Sequence, residues 1–455
     1  MDLDPLFKPK TMAVFGVSST NFQHPANVIY AKNSRRYPVK VYGINPKGGK
    51  VQGETLYPNL SEVPEKIDLA VIATRAEFVP DIIQECISGK AGAAAVISGG
   101  FKEVGRDDLQ DRIVEMARAA DFPFLGPNCL GTYVPMHIDT FFLPAERMVK
   151  PGIGNVAFVS QSGGILVDQM IKFANEHVGL SKAVSIGNKA VLDDVDMLEY
   201  LDRDPETKVI SFYIEGFGED EGRRFAQRAS GSGKPIIVIK AGKSPSGMKA
   251  VSSHTASLAG NQASFSAALA QSGVVEAENE FEHVSFCEAL SAYQSSIQGN
   301  IGVVTSSGGH GAMAVDACWA HGLKVPAISE EEQREMRRSL SPSIQAIASL
   351  GNPIDLTGSA NDDDFAECTS ALAKSGKYDC IIALLLPYLP GITLDLGSRM
   401  SDISKQFGIP LIAYVPHEEK YQMLVEGFEL NGVPVSPSIE GSVLMAKALR
   451  RNKPW

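Results

Sequence analysis

The run Val251-Ser252-Ser253-His254-Thr255-Ala256-Ser257-Leu258-Ala259-Gly260 sets one histidine among small, hydroxyl-rich residues, and Lys240-Ala241-Gly242-Lys243-Ser244-Pro245-Ser246-Gly247 precedes it. Few large apolar side chains are on hand to anchor a core, so the stretch reads as a mobile loop presenting an imidazole. A neutral imidazole near pH 7 serves as nucleophile, proton carrier or ligand; the plain alternative is an inert surface histidine. Glu215 follows the apolar run Phe212-Tyr213-Ile214. A carboxylate at such a strand end can accept an imidazole Nδ1–H and leave the other ring nitrogen free to attack phosphorus, or it is an ordinary strand-end acid. Ser160-Gln161-Ser162-Gly163-Gly164 leads into a helical pattern over 165–173. Free N–H groups at a helix start, with hydroxyls before them, make an anion seat; an N-cap over a close-packed glycine pair would use the same residues.

A second group of candidates lies nearer the N-terminus. Gly16-Val17-Ser18 follows the first apolar run, where a glycine lets the backbone turn under a phosphate. A full dinucleotide fingerprint needs GxGxxG, and this chain reads Gly16-Val17-Ser18-Ser19-Thr20-Asn21. Later runs end in Asn45-Pro46-Lys47, Ala73-Thr74, Ser98-Gly99-Gly100-Phe101 and Gly126-Pro127-Asn128-Cys129. In an open α/β sheet a ligand lies over such carboxyl ends, although turns are rich in these residue types in any case.

The elements that must position these residues follow a strand–loop–helix rhythm. Short apolar runs at 12–15, 69–73, 93–97, 156–159, 209–214, 235–239, 301–304, 381–385 and 410–414 read as buried parallel strands, and 81–88 and 109–119 have helical period. The expected fold class is α/β, with three doubly wound domains over the 455 residues. Polar, glycine-containing stretches at 148–155 and 295–300 divide the chain into 1–145, 150–294 and 299–455. Val156–Gly164 matches Ile301–Gly309, and Ser185-Ile186-Gly187-Asn188-Lys189 matches Ser349-Leu350-Gly351-Asn352-Pro353, which suggests one duplicated unit. The second copy carries Leu384-Leu385-Leu386-Pro387 where the first has Glu215, and no comparable histidine loop, so it reads as scaffold. His310, beside its glycine pair, reads as a packed or capping histidine.

Composition narrows the function. A net charge of −11 speaks against nucleic acid as the main partner. The six cysteines are scattered with no CxxC, which excludes a zinc or redox motif by spacing and suits reduced thiols. No signal peptide or membrane-spanning run is apparent, so a cytoplasmic protein with no resident metal is expected.

Taken in order, these pieces resemble the α subunit of ADP-forming (NDP-forming) acyl-CoA synthetases, the acetate–CoA ligases related to succinyl-CoA synthetase. The resemblance runs through Gly16-x-Ser18, Asn45-Pro46-Lys47, Ser98-Gly99-Gly100-Phe101, Gly126-Pro127-Asn128-Cys129-x-Gly131, Ser160–Gly164, Ser185-x-Gly187-Asn188-Lys189, Glu215 and Ser253–Gly260, then Ser307-Gly308-Gly309 and Asn352-Pro353-x-Asp355-Leu356-Thr357-Gly358. It implies a Rossmann-like CoA-binding domain followed by two flavodoxin-like domains. Gly16, Ser18, Asn45, Lys47, Ser98, Gly99, Asn128 and Cys129 would then hold coenzyme A. Ser160, Ser162, Gly163, Gly164, Gly187 and Asn188 would hold phosphate or substrate. His254 would carry a phosphoryl group, steadied by Glu215. The reaction implied converts acyl-CoA, ADP and phosphate to free acid, CoA and ATP through an acyl phosphate. ADP or ATP, with Mg²⁺, would sit on a separate ATP-grasp β subunit in an α2β2 heterotetramer. Two departures stand out. His24-Pro25-Ala26-Asn27 occupies a stretch where the family usually has further glycines, and Ala256 replaces a glycine after His254-Thr255. The competing functions are an NAD(P)-dependent oxidoreductase and a non-catalytic CoA-binding protein.

Overall fold

The computed structural model describes residues 1–251, 262–416 and 419–450 in full and the backbone alone of 252–255. Two compact units result, Met1–Glu278 and Asn279–Trp455. The first unit contains two seven-stranded sheets.

Buried apolar runs build the first sheet. Its strands are β1 (Thr11–Phe15), β2 (Lys40–Ile44), β3 (Lys50–Val51), β4 (Glu54–Tyr57), β5 (Leu69–Ile72), β6 (Ala93–Val96) and β7 (Phe124–Leu125), in the order β3-β4-β2-β1-β5-β6-β7. All neighbours run parallel except β3 on β4. Chain order reverses at β1, which lies between β2 and β5, and a crevice forms at such a switch point. Every residue of β1, β5 and β6 is buried, as expected for strands covered on both faces.

The second sheet comprises β8 (Gly131–Val134), β9 (Ile138–Asp139), β10 (Ile153–Ser160), β11 (Leu180–Ser185), β12 (Val209–Ile214), β13 (Ile236–Lys240) and β14 (Val275–Ala277), in the order β14-β13-β12-β10-β11-β8-β9. Strands β10 to β14 are parallel, and β8 and β9 extend the edge antiparallel. Register sets Ser160 level with both Ser185 and Tyr213, so Glu215 lies just past the end of β12. One continuous apolar core joins the two sheets, from Leu6, Phe7 and Val14 to Val184, Leu198 and Phe212.

The second unit has a five-stranded parallel sheet, β15 (Ile301–Thr305), β16 (Ile354–Asp355), β17 (Cys380–Leu384), β18 (Leu411–Tyr414) and β19 (Val435–Ser436), in the order β16-β15-β17-β18-β19. That is the same order as β11-β10-β12-β13-β14, so the duplication inferred from the sequence extends to topology. Thr305 pairs with Leu384 as Ser160 pairs with Tyr213, which puts Leu386 where the first copy has Glu215. The second sequence match does not correspond in space. Gly187-Asn188 follows β11, whereas Gly351-Asn352 precedes β16.

A further difference concerns the expected histidine loop. Residues Pro245–Thr255 form a helix. Ser244 caps it, its Oγ accepting the Gly247 N–H at 3.0 Å, and Pro245 takes the first helical position, where its missing N–H costs nothing. The His254 side chain and residues 256–261 lie outside the described part of the chain. No described helix is long and apolar enough to cross a membrane.

A buried charge cluster ties the helix Pro25–Arg36 to β9. Lys32 is 2.9 Å from Asp139, with side chains 3% and 0% exposed, and Lys150 reaches the other carboxylate oxygen. Asn33 adds a two-way bond to the Asp139 backbone. Burial draws the Lys32 ammonium below its ordinary pKa, and Asp139 opposes that shift. Asp139→Ala would leave an unpaired cation in the interior. It should cost about 3–5 kcal/mol in urea unfolding of the purified chain, against well under about 1 kcal/mol for Asp81→Ala at an exposed ion pair.

Candidate active site

The strand-end turns converge on one cavity of about 1070 Å³ in the first unit. Ala73, Thr74 and Arg75 after β5, Ile97, Ser98 and Gly99 after β6, and the turn Asn128-Cys129-Leu130 form one wall. Gln161, Ser162, Gly163 and Gly164 at the start of the helix Gly163–Asn175, with Tyr213 and Glu215 at the end of β12, form the opposite wall. His24, Pro25 and Phe142 close one side, and Ala250 and Val251 of the helix Pro245–Thr255 line another. Eight of the sixteen residues singled out from the sequence thus meet here: Ser98, Gly99, Asn128, Cys129, Ser162, Gly163, Gly164 and Glu215. His254 belongs to the helix whose preceding turn lines the cavity.

The start of this helix forms the N-cap that its sequence allows. Ser162 caps the helix, its Oγ accepting the Ile165 N–H at 3.4 Å. Ser160 is wholly buried and serves the turn, donating to the Ser162 carbonyl at 2.7 Å and accepting the Ser162 N–H at 3.1 Å. A Cβ on Gly164 would meet open space, so the backbone there is accessible to a ligand.

On the opposite wall, Glu103 organises the Ser98–Phe101 turn. Its Oε1 accepts the N–H groups of Gly100 at 2.6 Å and Phe101 at 3.2 Å, and its Oε2 accepts from Asn188 Nδ2 at 2.6 Å. Burial alone would raise its pKa, but these hydrogen bonds outweigh that and hold it below the ordinary value. The bracing is therefore fully present above the ordinary carboxylate range and is lost as pH falls through the depressed pKa. Asn188 also donates to Gln110 Oε1 at 3.0 Å and bridges to Asn128. It braces the two sheets against each other and does not line the cavity. Gly187 has φ +56, and a Cβ on it would come 2.3 Å from the Pro127 carbonyl, so this close approach requires glycine.

The first turn of the chain is likewise internally occupied. A Cβ on Gly16 would come 2.4 Å from the Ala73 carbonyl oxygen. Asn27 accepts the Ser18 N–H and donates to the Ser18 carbonyl, both at 2.7 Å. Asn45 donates to the Val17 carbonyl at 2.7 Å, and Lys47 is exposed. Gly16, Ser18, Asn45 and Lys47 thus shape or flank the turn outside the cavity lining. His24, within the atypical stretch, caps the helix Pro25–Arg36 by accepting the Ala26 N–H on Nδ1. Burial lowers its pKa, which favours the neutral ring that accepts at Nδ1.

Residues 10–135 match the family of CoA binding domains, and residues 153–290 match the succinyl-CoA ligase like flavodoxin domain. The alpha subunit of acetate–CoA ligase [ADP-forming] I from Pyrococcus furiosus is 34% identical over 474 aligned positions, covering 100% of this chain and 98% of that subunit. The chain belongs to the ADP-forming acetate–CoA ligase family. Acetate–CoA ligase [ADP-forming] I of Archaeoglobus fulgidus is 38% identical over 392 residues, and there the match covers 55% of the relative's length. A dinucleotide forming acetyl-coenzyme A synthetase from Ca. Korarchaeum cryptofilum, solved in complex with phosphate and ADP, superposes with a TM-score of 0.89 at 33% identity, covering 98% of this chain and 96% of that one. These matches favour neither the oxidoreductase nor the non-catalytic alternative.

Sequence reasoning missed the network behind Glu215. Gln161 Oε1 accepts the N–H groups of Glu215 at 2.9 Å and Gly216 at 3.1 Å. Lys189 Nζ donates to Asp194 at 2.8 Å, Glu221 at 2.9 Å and the Gly216 carbonyl at 3.0 Å. Both Gln161 and Lys189 lie inside quoted motifs, but nothing in their neighbours betrays an inward-facing amide or ammonium.

Cys129 lines the cavity as a buried apolar group. Its Sγ donates to the Val96 carbonyl at 3.4 Å, and burial pushes the thiol up to about 12. All six cysteines are buried. The native chain should therefore show almost no fast thiol reaction with an aromatic disulfide at pH 8, and six equivalents after denaturation. A rapidly titrating native thiol that also abolishes CoA binding would give Cys129 a chemical role.

Proposed function

We propose that this chain is the α subunit of an acid–CoA ligase (ADP-forming) that passes a phosphoryl group through His254. The observation that carries this reading is the shared lining of one cavity. The Ser162 helix start, the Glu215 carboxylate and the turn before His254 face the turns of the CoA-binding segment. In the acyl-CoA-consuming direction, a phosphate oxygen attacks the thioester carbon, the C–S bond breaks, and CoA leaves as the thiol after taking a proton. Ser162, Gly163 and Gly164 hold the phosphate by backbone N–H groups and dipole, without a titrating side chain. The imidazole of His254 then attacks the phosphorus of the acyl phosphate. The P–O bond to the acyl group breaks and the free carboxylate departs, while Glu215 accepts the Nδ1–H and stabilises the charge that forms on the ring. Finally an ADP oxygen displaces the phosphoryl group from nitrogen and ATP forms.

Residues 1–145 are assigned to CoA, with Ser98, Gly99, Asn128 and Cys129 against its thioester arm and Gly16, Ser18, Asn45 and Lys47 at its phosphate end. Residues 150–294 would carry phosphate and phosphohistidine, and 299–455 would be scaffold. Within that scaffold His310 contacts Ser307 Oγ at 3.0 Å and packs on Tyr414, which suits a structural role. An ATP-grasp β subunit would supply the nucleotide site in an α2β2 assembly in the cytoplasm. Mg²⁺ would accompany the nucleotide on that partner and neutralise phosphate charge.

Incubation of the αβ complex with γ-labelled ATP and Mg²⁺ should give acid-labile, base-stable label on the chain, absent from His254→Ala. Glu215→Gln should fold normally and slow labelling by about 10²–10⁴-fold. Label that persists in His254→Ala would place the phosphoryl carrier elsewhere.

A further inference from the structure

We propose that Gln161 is a positioning residue for Glu215: its side-chain amide, locked by Asp194 and Lys189, fixes the strand end that aims the carboxylate. The inference rests on the phosphoryl-transfer reading above.

Gln161 is 8% exposed, and both ends of its amide are engaged. The carbonyl oxygen accepts two consecutive backbone N–H groups, those of Glu215 and Gly216. The nitrogen donates to Asp194 Oδ2 at 2.7 Å and to the Gly216 carbonyl at 3.0 Å. The amide cannot be flipped. Asp194, when ionised, only accepts, and the Glu215 and Gly216 N–H groups only donate, so a reversed amide would put like against like four times. Asp194 is held in turn. It is wholly buried, and burial holds its carboxyl above the ordinary value while Lys189 pulls it down. Lys189 lies between Asp194 and Glu221, and Glu221 accepts the Asp194 N–H at 3.2 Å and the Gly218 N–H at 2.5 Å.

This arrangement couples two parts of the site through adjacent residues. Ser162, next in the chain, caps the helix that seats the anion, and Gln161 sets the backbone from which the Glu215 carboxylate projects. The distance between anion and carboxylate is thereby fixed at both ends by Ser160-Gln161-Ser162. The duplicated unit supplies an internal control. There Leu386 replaces Glu215, and Ser306 stands where Gln161 does. Its hydroxyl is too short to span to a neighbouring strand end, and Ser306 Oγ is buried without a hydrogen-bond partner. The copy that lacks the acid also lacks the clamp.

The test uses the full chain with its partner subunit and two variants, Gln161→Ala and Gln161→Glu. Gln161→Ala removes the clamp. Gln161→Glu keeps an acceptor for the two N–H groups but sets a carboxylate against Asp194 and the Gly216 carbonyl. Each should lower the rate of His254 labelling and kcat by about 10–100-fold, with KM for the CoA thioester within about threefold of wild type, a split that a general loss of structure would not produce. Labelling by Gln161→Ala within about threefold of wild type would overturn the inference, as would a loss that falls on KM with kcat unchanged. If Gln161→Ala fails to fold, Gln161→Glu read against the same bounds still decides. An unlabelled wild-type complex would instead overturn the phosphoryl-transfer reading, and this inference with it.

Discussion

A buried ammonium holds the end of the second sheet together at the cavity. Lys189 leaves the turn after β11 and reaches Asp194 and Glu221 at the starts of two helices, and the Gly216 carbonyl beyond β12. An unpaired cation in that position would be strongly unfavourable, so the three elements are drawn to whatever positions satisfy it. Its two carboxylates and one carbonyl are correspondingly committed. Gln161 then receives a fixed acceptor in Asp194, and the order passes outward to Glu215. The turn that carries Lys189 also carries Gly187 and Asn188, which touch the Pro127–Asn128 turn and Glu103. The same few residues therefore align the Ser162 wall of the cavity internally and against the wall built by Ser98 and Asn128.

Much of the fold was legible because its central strands are buried on both faces. All nine apolar runs read as strands are strands, with ends displaced by at most three residues. The strands that escaped notice had physical reasons to do so. β2 is interrupted by Gly43 and begins with an exposed lysine. β11 contains Lys182, which is wholly buried and neutralised by Asp204 at 2.6 Å, so a polar residue occupies a core position that periodicity reserves for apolar ones. The two-residue strands β3, β7, β9, β16 and β19 carry no periodicity at all. The helix Pro245–Thr255 was misread from its small residues, although Ser244-Pro245 is a sound start signal.

The candidate site was legible in a similar, uneven way. Turn residues could be found because chemistry and chain reversal select the same types, and half of those chosen do line the cavity. Several of the others support the turns from behind. Asn45, Asn188, Gly16 and Gly187 satisfy backbone groups or permit close approach, and from sequence alone such a residue looks the same as one that touches ligand. Glu103 and Gln161 were passed over because their partners are backbone N–H groups, which leave no mark in a sequence pattern.

Strands β8 and β9 have a consequence for how the protein came to be assembled. They lie within the first 145 residues, yet they hydrogen-bond to β11 and complete the sheet of the following segment. The two segments therefore exchange structure as well as share an interface. A break at the polar stretch after residue 145 would strip the second sheet of its edge and leave a bare hairpin on the first. For recombination, whether natural or in the laboratory, the two sheets of the first unit make up one inheritable module. Even a crossover before Gly131, which keeps both sheets whole, would part Asp139 from Lys32 and Asn33.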